Sequence, residues 1–149
     1  MKKTFTWRHF APFINSQSVA YLSTINKNIP HTRGMLNLSN KANFPKLQKL
    51  IETGTLYFTT NKSSSKMLQI SKNNSASVYF CDNNTFYGLL LIGKIEVVTD
   101  NKVKQSFWQD GWTIYYPKGS GDSEYQLLKF IAKEYRYYDG KFEVYSGEF

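Results

Sequence analysis

Three serines between two lysines, Lys62-Ser63-Ser64-Ser65-Lys66, stand where a strand-like run ends and a helix-like run begins. The strand is LYFTT, Leu56 to Thr60; the helix runs from about Ser64 to Lys72. The first turn of a helix points unpaired N–H groups outward and favours negative charge. Hydroxyls of Ser64 and Ser65 and the ammonium of Lys66 would add donors and a full positive charge at that spot. Arg33, on a neighbouring hairpin, could close on the same anion with its planar fork. This chemistry suits a phosphate group. The residues alone leave a second possibility, in which the serines only cap the helix and Arg33 is a surface side chain.

Other chemistries lack their parts. A metal site needs clustered ligands, and the chain has two histidines, His9 and His31, with one cysteine. A serine or cysteine nucleophile needs a base and an orienting group beside it, and no Gly-x-Ser-x-Gly elbow surrounds Ser63 to Ser65. Neither a P-loop nor a Gly-x-Gly-x-x-Gly run is present. Glu52 is the lone acid of residues 1–72, so that half holds no carboxylate pair. No catalytic side chain and no metal ligand is therefore nominated. Such a chain can still run redox chemistry if a cofactor carries the reactive atoms.

Charge is divided unevenly. Residues 1–72 hold 11 Lys/Arg against one acid, a net of +10; residues 73–149 hold 8 against 10, a net of −2. The lysines are scattered singly, without the basic block of a nucleic-acid tail, so nucleic acid is not the expected partner. No apolar run is long enough for a membrane helix, and MKKTFTWRHF lacks the apolar core of a signal peptide. Cys81, in an apolar strand run, is expected to be a reduced core thiol, which suits the cytoplasm.

The elements that must position these groups are mostly strands. One domain spans 149 residues, rich in Tyr and Phe, 41% hydrophobic and 17% aromatic, a composition that favours sheet. Residues 1–15 are expected to carry a short N-terminal helix broken at Pro12. VAYLSTI, Val19 to Ile25, and HTRGMLNL, His31 to Leu38, form a hairpin across NKNIP. Alternation puts Thr32, Gly34, Leu36 and Leu38 on one face and Arg33, Met35 and Asn37 on the other. FPKLQKLIE, Phe44 to Glu52, reads as a helix stopped at Thr53-Gly54. SASVYFC, Ser75 to Cys81, and FYGLLLIGKIEVV, Phe86 to Val98, are strands, the second with bends or bulges at Gly88 and Gly93. Asp100 to Trp108 is a helix and Leu127 to Tyr138 the last main strand; residues 139–149 are a C-terminal extension. The sum is a mainly β fold, a small barrel of six or so strands with short flanking helices.

FTTNKSSSKMLQISKNNSASVYF resembles the phosphate loop of the pyridoxamine 5′-phosphate oxidase-like FMN-binding split barrels. VAYLSTINKNIPHTRGM resembles their first hairpin. LLLIGKIEVVTDNKVKQSFW is similar to their long strand and following helix, and GWTIYYPKGSGDSEYQLLKF to the general stress protein branch. The resemblance covers about residues 15–138. It implies a six-stranded split β-barrel of Greek-key type, FMN as cofactor, and a homodimer with flavin at the subunit interface. It implies that Arg33 and Lys66 pair with the FMN phosphate, helped by Ser65 and Ser64. Gly34 and Met35, and Thr59 and Thr60 facing them, would pass along the flavin ring. Trp112, with Tyr115 and Tyr116, would cover the ring from the second subunit. The implied activity is an oxidoreductase on a small molecule, with a non-catalytic flavin or haem binding module as the alternative. The sequence departs from the pyridoxamine phosphate oxidases proper at three matched positions, Leu38, Ser65 and Gly88, and shows no match to their substrate-gripping C-terminal segment. That activity is not expected here.

Overall fold

Alternation of apolar and polar residues drives most of this chain into strands, and the computed structural model, which describes residues 3–149, arranges them as one antiparallel sheet of seven. Residues 1–2 of the expected N-terminal segment lie outside the described residues. The elements are α1 (Trp7–Ser16), β1 (Val19–Asn26), β2 (Ile29–Leu36), β3 (Thr55–Asn61), α2 (Ser65–Lys72), β4 (Ser75–Cys81), β5 (Gly88–Val97), α3 (Asn101–Phe107), β6 (Tyr125–Tyr138) and β7 (Val144–Glu148). Strands run in the order β2-β1-β4-β5-β6-β3, with β7 added beside β6. The sheet curls into a half-barrel with short helices, the split-barrel architecture expected from the sequence.

Two clusters of apolar side chains hold the curl. Leu22, Phe58, Val78, Phe80, Leu91 and Phe130 meet inside it, closed by Phe10 and Ile14 of α1. Each such side chain contributes roughly 1.5–3 kcal/mol by leaving water. The other face of β3 and β6 buries Tyr57, Tyr125 and Leu127 under Leu47, Phe107 and Trp112. β3 is therefore buried on both faces, which explains its near-continuous apolar run, LYF.

Local chemistry sets the element ends. Asp100 accepts from the backbone N–H groups of Lys102 and Val103, capping α3 where expected. Asn26 and Ile29 pair across a two-residue turn, Lys27-Asn28, with φ of 51° and 64°. Such a left-handed pair matches the right-handed twist of the strands it joins. At Gly93 the β5–β6 register shifts by a bulge, and a Cβ there would overlap the Ile131 carbonyl.

Four expectations change. α1 runs through Pro12 to Ser16, because Phe10 and Ile14 are anchored in the core on either side of it. Pro45–Leu50 is a 3-10 turn rather than an α-helix. β5 starts at Gly88, after a loop in which Phe86 takes φ 60°. Cys81 is half-buried at the end of β4, not a core thiol; Phe80 takes the inward position, so alternation turns Cys81 the other way. Among the described residues no helix is long and apolar enough to cross a membrane.

Candidate functional site

The junction of β3 and α2 is pinned before any ligand is considered. Asn61 pairs with Tyr125 of β6. The Lys62 N–H then donates to the Glu124 carbonyl at 2.9 Å. Ser63 donates twice to the Glu124 carboxylate, from its N–H at 3.2 Å and its hydroxyl at 2.6 Å. Ser63 is thus consumed by the fold. The Ser64 N–H closes a turn onto the Asn61 carbonyl at 3.0 Å, and Ser64 becomes the N-cap of α2. Its side chain makes no capping hydrogen bond. It instead meets the Thr60 hydroxyl at 3.1 Å and accepts from Lys66 Nζ at 3.3 Å. The capping alternative raised by the sequence therefore does not describe Ser64.

Lys66 and Arg33 face the same corner. Lys66 Nζ donates to Thr60 Oγ1 at 2.8 Å. Arg33 donates to Thr24 Oγ1 at 2.7 Å, to the Leu22 carbonyl at 3.3 Å and to Gln69 Oε1 at 3.2 Å. Thr24 in turn donates to Gln69 Oε1 at 2.6 Å. These contacts fix the guanidinium and leave two of its five N–H donors without a protein partner among the described residues. Burial lowers the Lys66 pKa, and the charge of Arg33 lowers it further. Burial also lowers that of Arg33. Neither cation is paired with a carboxylate; the one ion pair among the described residues joins Lys129 to Glu52. Two neighbouring positive charges, half out of water and without a counter-charge among the described residues, make a local concentration of positive potential.

A cleft of about 430 Å³ opens beside them, within the range of small-molecule sites. Lys66, Ser64, Thr59 and Thr60 line one side, and Gly34, Met35 and Leu36 the other. Tyr115 and Tyr116 stand at its edge, Tyr115 half-exposed and Tyr116 buried. At Gly34 an added Cβ would meet only Val19, at 3.3 Å. The strand there is bare, and a flat ring could lie against its backbone. No histidine, cysteine or carboxylate lines this cleft, and no cluster of metal-binding side chains occurs among the described residues.

Of the residues singled out from the sequence, Gly34, Met35, Thr59, Thr60, Ser64, Lys66 and Tyr115 are brought together at the cleft. Arg33 stands behind it, held by Thr24 and Gln69. Ser65 is turned toward a neighbouring cleft, because each residue of a helix rotates about 100° from the last. Trp112 is a correction: it is not a surface cover but part of the second core cluster, 5% exposed. It packs on Phe44, Trp108 and Tyr125, with ring centroids 6.0–6.2 Å away. His31 lies on β2 away from the lining. Leu38 is a fully buried core residue, and a Cβ at Gly88 would overlap the Tyr79 hydroxyl. The Leu38 departure from the oxidases thus has a packing reason. Sequence reasoning missed Thr24, Gln69 and Glu124, the side chains that fasten Arg33 and the loop. Only Gln69 left a signal, as a polar residue one helical turn after Ser65.

Comparison with known proteins agrees with this fold. The family described as pyridoxamine 5′-phosphate oxidase like matches residues 7–146. A Clostridium acetobutylicum protein related to general stress protein 26 of B. subtilis, of the pyridoxinephosphate oxidase family, is 28% identical. Its structure superposes with a TM-score of 0.78 over 95% of this chain and 93% of that one. General stress protein 26 from Bacillus anthracis shares 21% identity, at a TM-score of 0.70 over 88% and 92%. A heme binding protein from Mycobacterium smegmatis has the same fold at 11% identity, with a TM-score of 0.71 over 99% of this chain and 60% of that one. No curated protein sequence matches significantly.

Proposed function

The chain belongs to the pyridoxamine 5′-phosphate oxidase like family, and from the cleft of this member we propose a flavoprotein that holds FMN and serves as an oxidoreductase on a small molecule. The observation that carries the reading is the pair Arg33 and Lys66, close enough to repel and without a carboxylate. A phosphate monoester brings about −1.5 to −2 charges, which balances them. Thr60 and Ser64 hold the Lys66 ammonium in place, and Thr24 and Gln69 hold the guanidinium. Gly34 and Met35 on β2, with Thr59 on β3, would flank the ring and offer backbone groups to its polar edge. When bound, the flavin supplies the hydride or electron chemistry, and the lining contributes no histidine, cysteine or carboxylate of its own. That last feature favours one alternative, a module that binds flavin without turnover.

A homodimer is part of the proposal. Leu36 lines the cleft and is 44% exposed; beside it Val19, Tyr21 and Tyr79 carry an apolar stripe across the sheet, each at least 40% exposed. A second copy covering the stripe would wall the open side of the cleft. A solution mass of one chain, at micromolar protein with flavin present, would remove the dimer.

The test of the flavin is direct. The purified protein should be yellow, or take up added FMN with a change in flavin absorbance. A colourless preparation that binds no FMN sinks the reading. With FMN bound, anaerobic addition of NADH or NADPH should bleach the flavin within seconds; a flavin unmoved by either leaves the binding module.

A further inference from the structure

Trp112, buried in the second cluster, anchors the 3-10 turn Asp110–Ile114. The Tyr116 N–H donates to the Trp112 carbonyl at 2.9 Å, and the Tyr116 carbonyl accepts from the Gly119 N–H at 2.9 Å. The Tyr116 ring packs on Tyr125 and Trp108, with centroids 5.2 and 6.1 Å away. Backbone and ring are both fixed. Tyr116 is only 3% exposed, yet it lines the cleft beside Lys66.

Its hydroxyl meets that of Thr59, which lines the same cleft. Two hydroxyls carry two protons, and the one hydrogen bond between them uses one. A donor is left over. Tyr125, in the same cluster, has no such surplus, because its hydroxyl donates to the Lys104 carbonyl at 2.6 Å. Burial raises the Tyr116 pKa above the ordinary 10, and the charges of Asp122 and Glu124 add to the rise against a smaller lowering by the Thr59 bond. At neutral pH the group is therefore a phenol with a proton to offer.

Thr60, which holds Lys66, and Thr59, which meets Tyr116, are consecutive on β3 and turn to opposite faces. The cation and the phenol thus reach the cleft from the two sides of one strand. An anionic group suits the first side, and a neutral acceptor suits the second. We propose that Tyr116 donates a hydrogen bond to the ring of the flavin held by its own chain, at a carbonyl oxygen or unprotonated nitrogen of the polar edge. The inference rests on the flavin reading of the cleft and adds a ring contact separate from the phosphate contacts. No proton is transferred and no covalent step is involved.

The experiment titrates the apo full-length chain with FMN and with riboflavin, which has the same ring and no phosphate, and records the absorbance of bound FMN at saturation. It compares the wild type, Tyr116→Phe and Lys66→Ala. Tyr116→Phe keeps the packed ring and removes only the hydroxyl. It should weaken FMN and riboflavin by the same factor, about threefold to tenfold, the net range of one neutral hydrogen bond. It should also shift the absorption bands of bound FMN, because a hydrogen bond to the ring redistributes its charge and a loss of packing elsewhere does not. Lys66→Ala should weaken FMN and leave riboflavin as in the wild type. Unmoved bands in Tyr116→Phe, or a loss confined to FMN, overturns the proposal and leaves the flavin reading standing. Failure of the wild type to bind either flavin removes that reading, and this inference with it.

Discussion

Lys66 and Lys129 lie on the same barrel and have opposite surroundings. Lys129, on β6, is burdened by burial, but its hydrogen bond to Glu52 at 3.1 Å and that residue's charge outweigh the cost, and its pKa ends raised. Lys66, at the start of α2, has hydroxyls for neighbours and a second cation nearby, and its pKa is lowered by burial and then by Arg33. One charge is satisfied within the fold; the other has no counter-charge among the described residues. A lysine is thus a binding candidate here because of what does not face it, and its mere presence in a basic half of the chain says little.

The largest effect that would break this comparison is on flavin affinity. Arg33→Ala and Lys66→Ala should each weaken FMN by about 1.5–3 kcal/mol, the scale of a hydrogen bond to a charged group. Glu52→Gln should leave it unchanged. Isothermal titration of the four proteins decides the matter, and full affinity in both cation variants would show the phosphate to lie elsewhere.

A smaller effect concerns pH. In the proposed site the FMN phosphate meets the protonated Lys66, so affinity should be full from above about pH 6, where the phosphate is doubly ionised, up to the lowered pKa of the free protein. It falls as pH rises through that value, beginning below the ordinary 10.5. Lys66→Arg, whose guanidinium stays charged, should carry the affinity to higher pH. An identical pH profile in both proteins would show that Lys66 is not the group that titrates.

The smallest effect is on stability without ligand, where the two lysines should act with opposite signs. The folded pKa of Lys129 is raised, so its contribution is fully present below 10.5 and lost as pH climbs past the raised value. Breaking its pair by Glu52→Gln should cost only about 0.2–1 kcal/mol, since Glu52 is largely exposed. The folded pKa of Lys66 is lowered, so its penalty stands at neutral pH and is relieved between the lowered value and 10.5. Lys66→Met should therefore raise the melting temperature of the apo protein at pH 7 while abolishing its anion site. A lower melting temperature than wild type would mean that Lys66 is a structural cation after all.

Much of the architecture was legible because its signals are short-ranged. The hairpin of Val19 to Leu38 shows as two strand runs joined by a turn. The Asp100 cap of α3 shows as a side chain within hydrogen-bond reach of the next turn, and the start of α2 shows as a serine run directly after a strand. Pro12 misled, because its break in the local pattern is overridden by two anchors in the core. Trp112 misled for the same reason in reverse. An aromatic in a loop-rich segment looks available from the sequence, yet here it fills a cavity between distant elements, while Tyr115, three residues on, reaches the cleft.

The sequence alone determined the kinds of group at the β3–α2 junction and the excess of positive charge around them. Residue type and local backbone conformation need only neighbours a few positions away. It could not determine that Glu124 would take Ser63, that Thr24 and Gln69 would fasten Arg33, or that Glu52 would spend its charge on Lys129. Thr24 and Arg33 are nine positions apart on one hairpin, but the other three pairings join residues 36 to 77 positions apart, and they exist only because the long β6 strand and the curl of the sheet bring them together. Which cations were left without a counter-charge was decided there, by the tertiary structure.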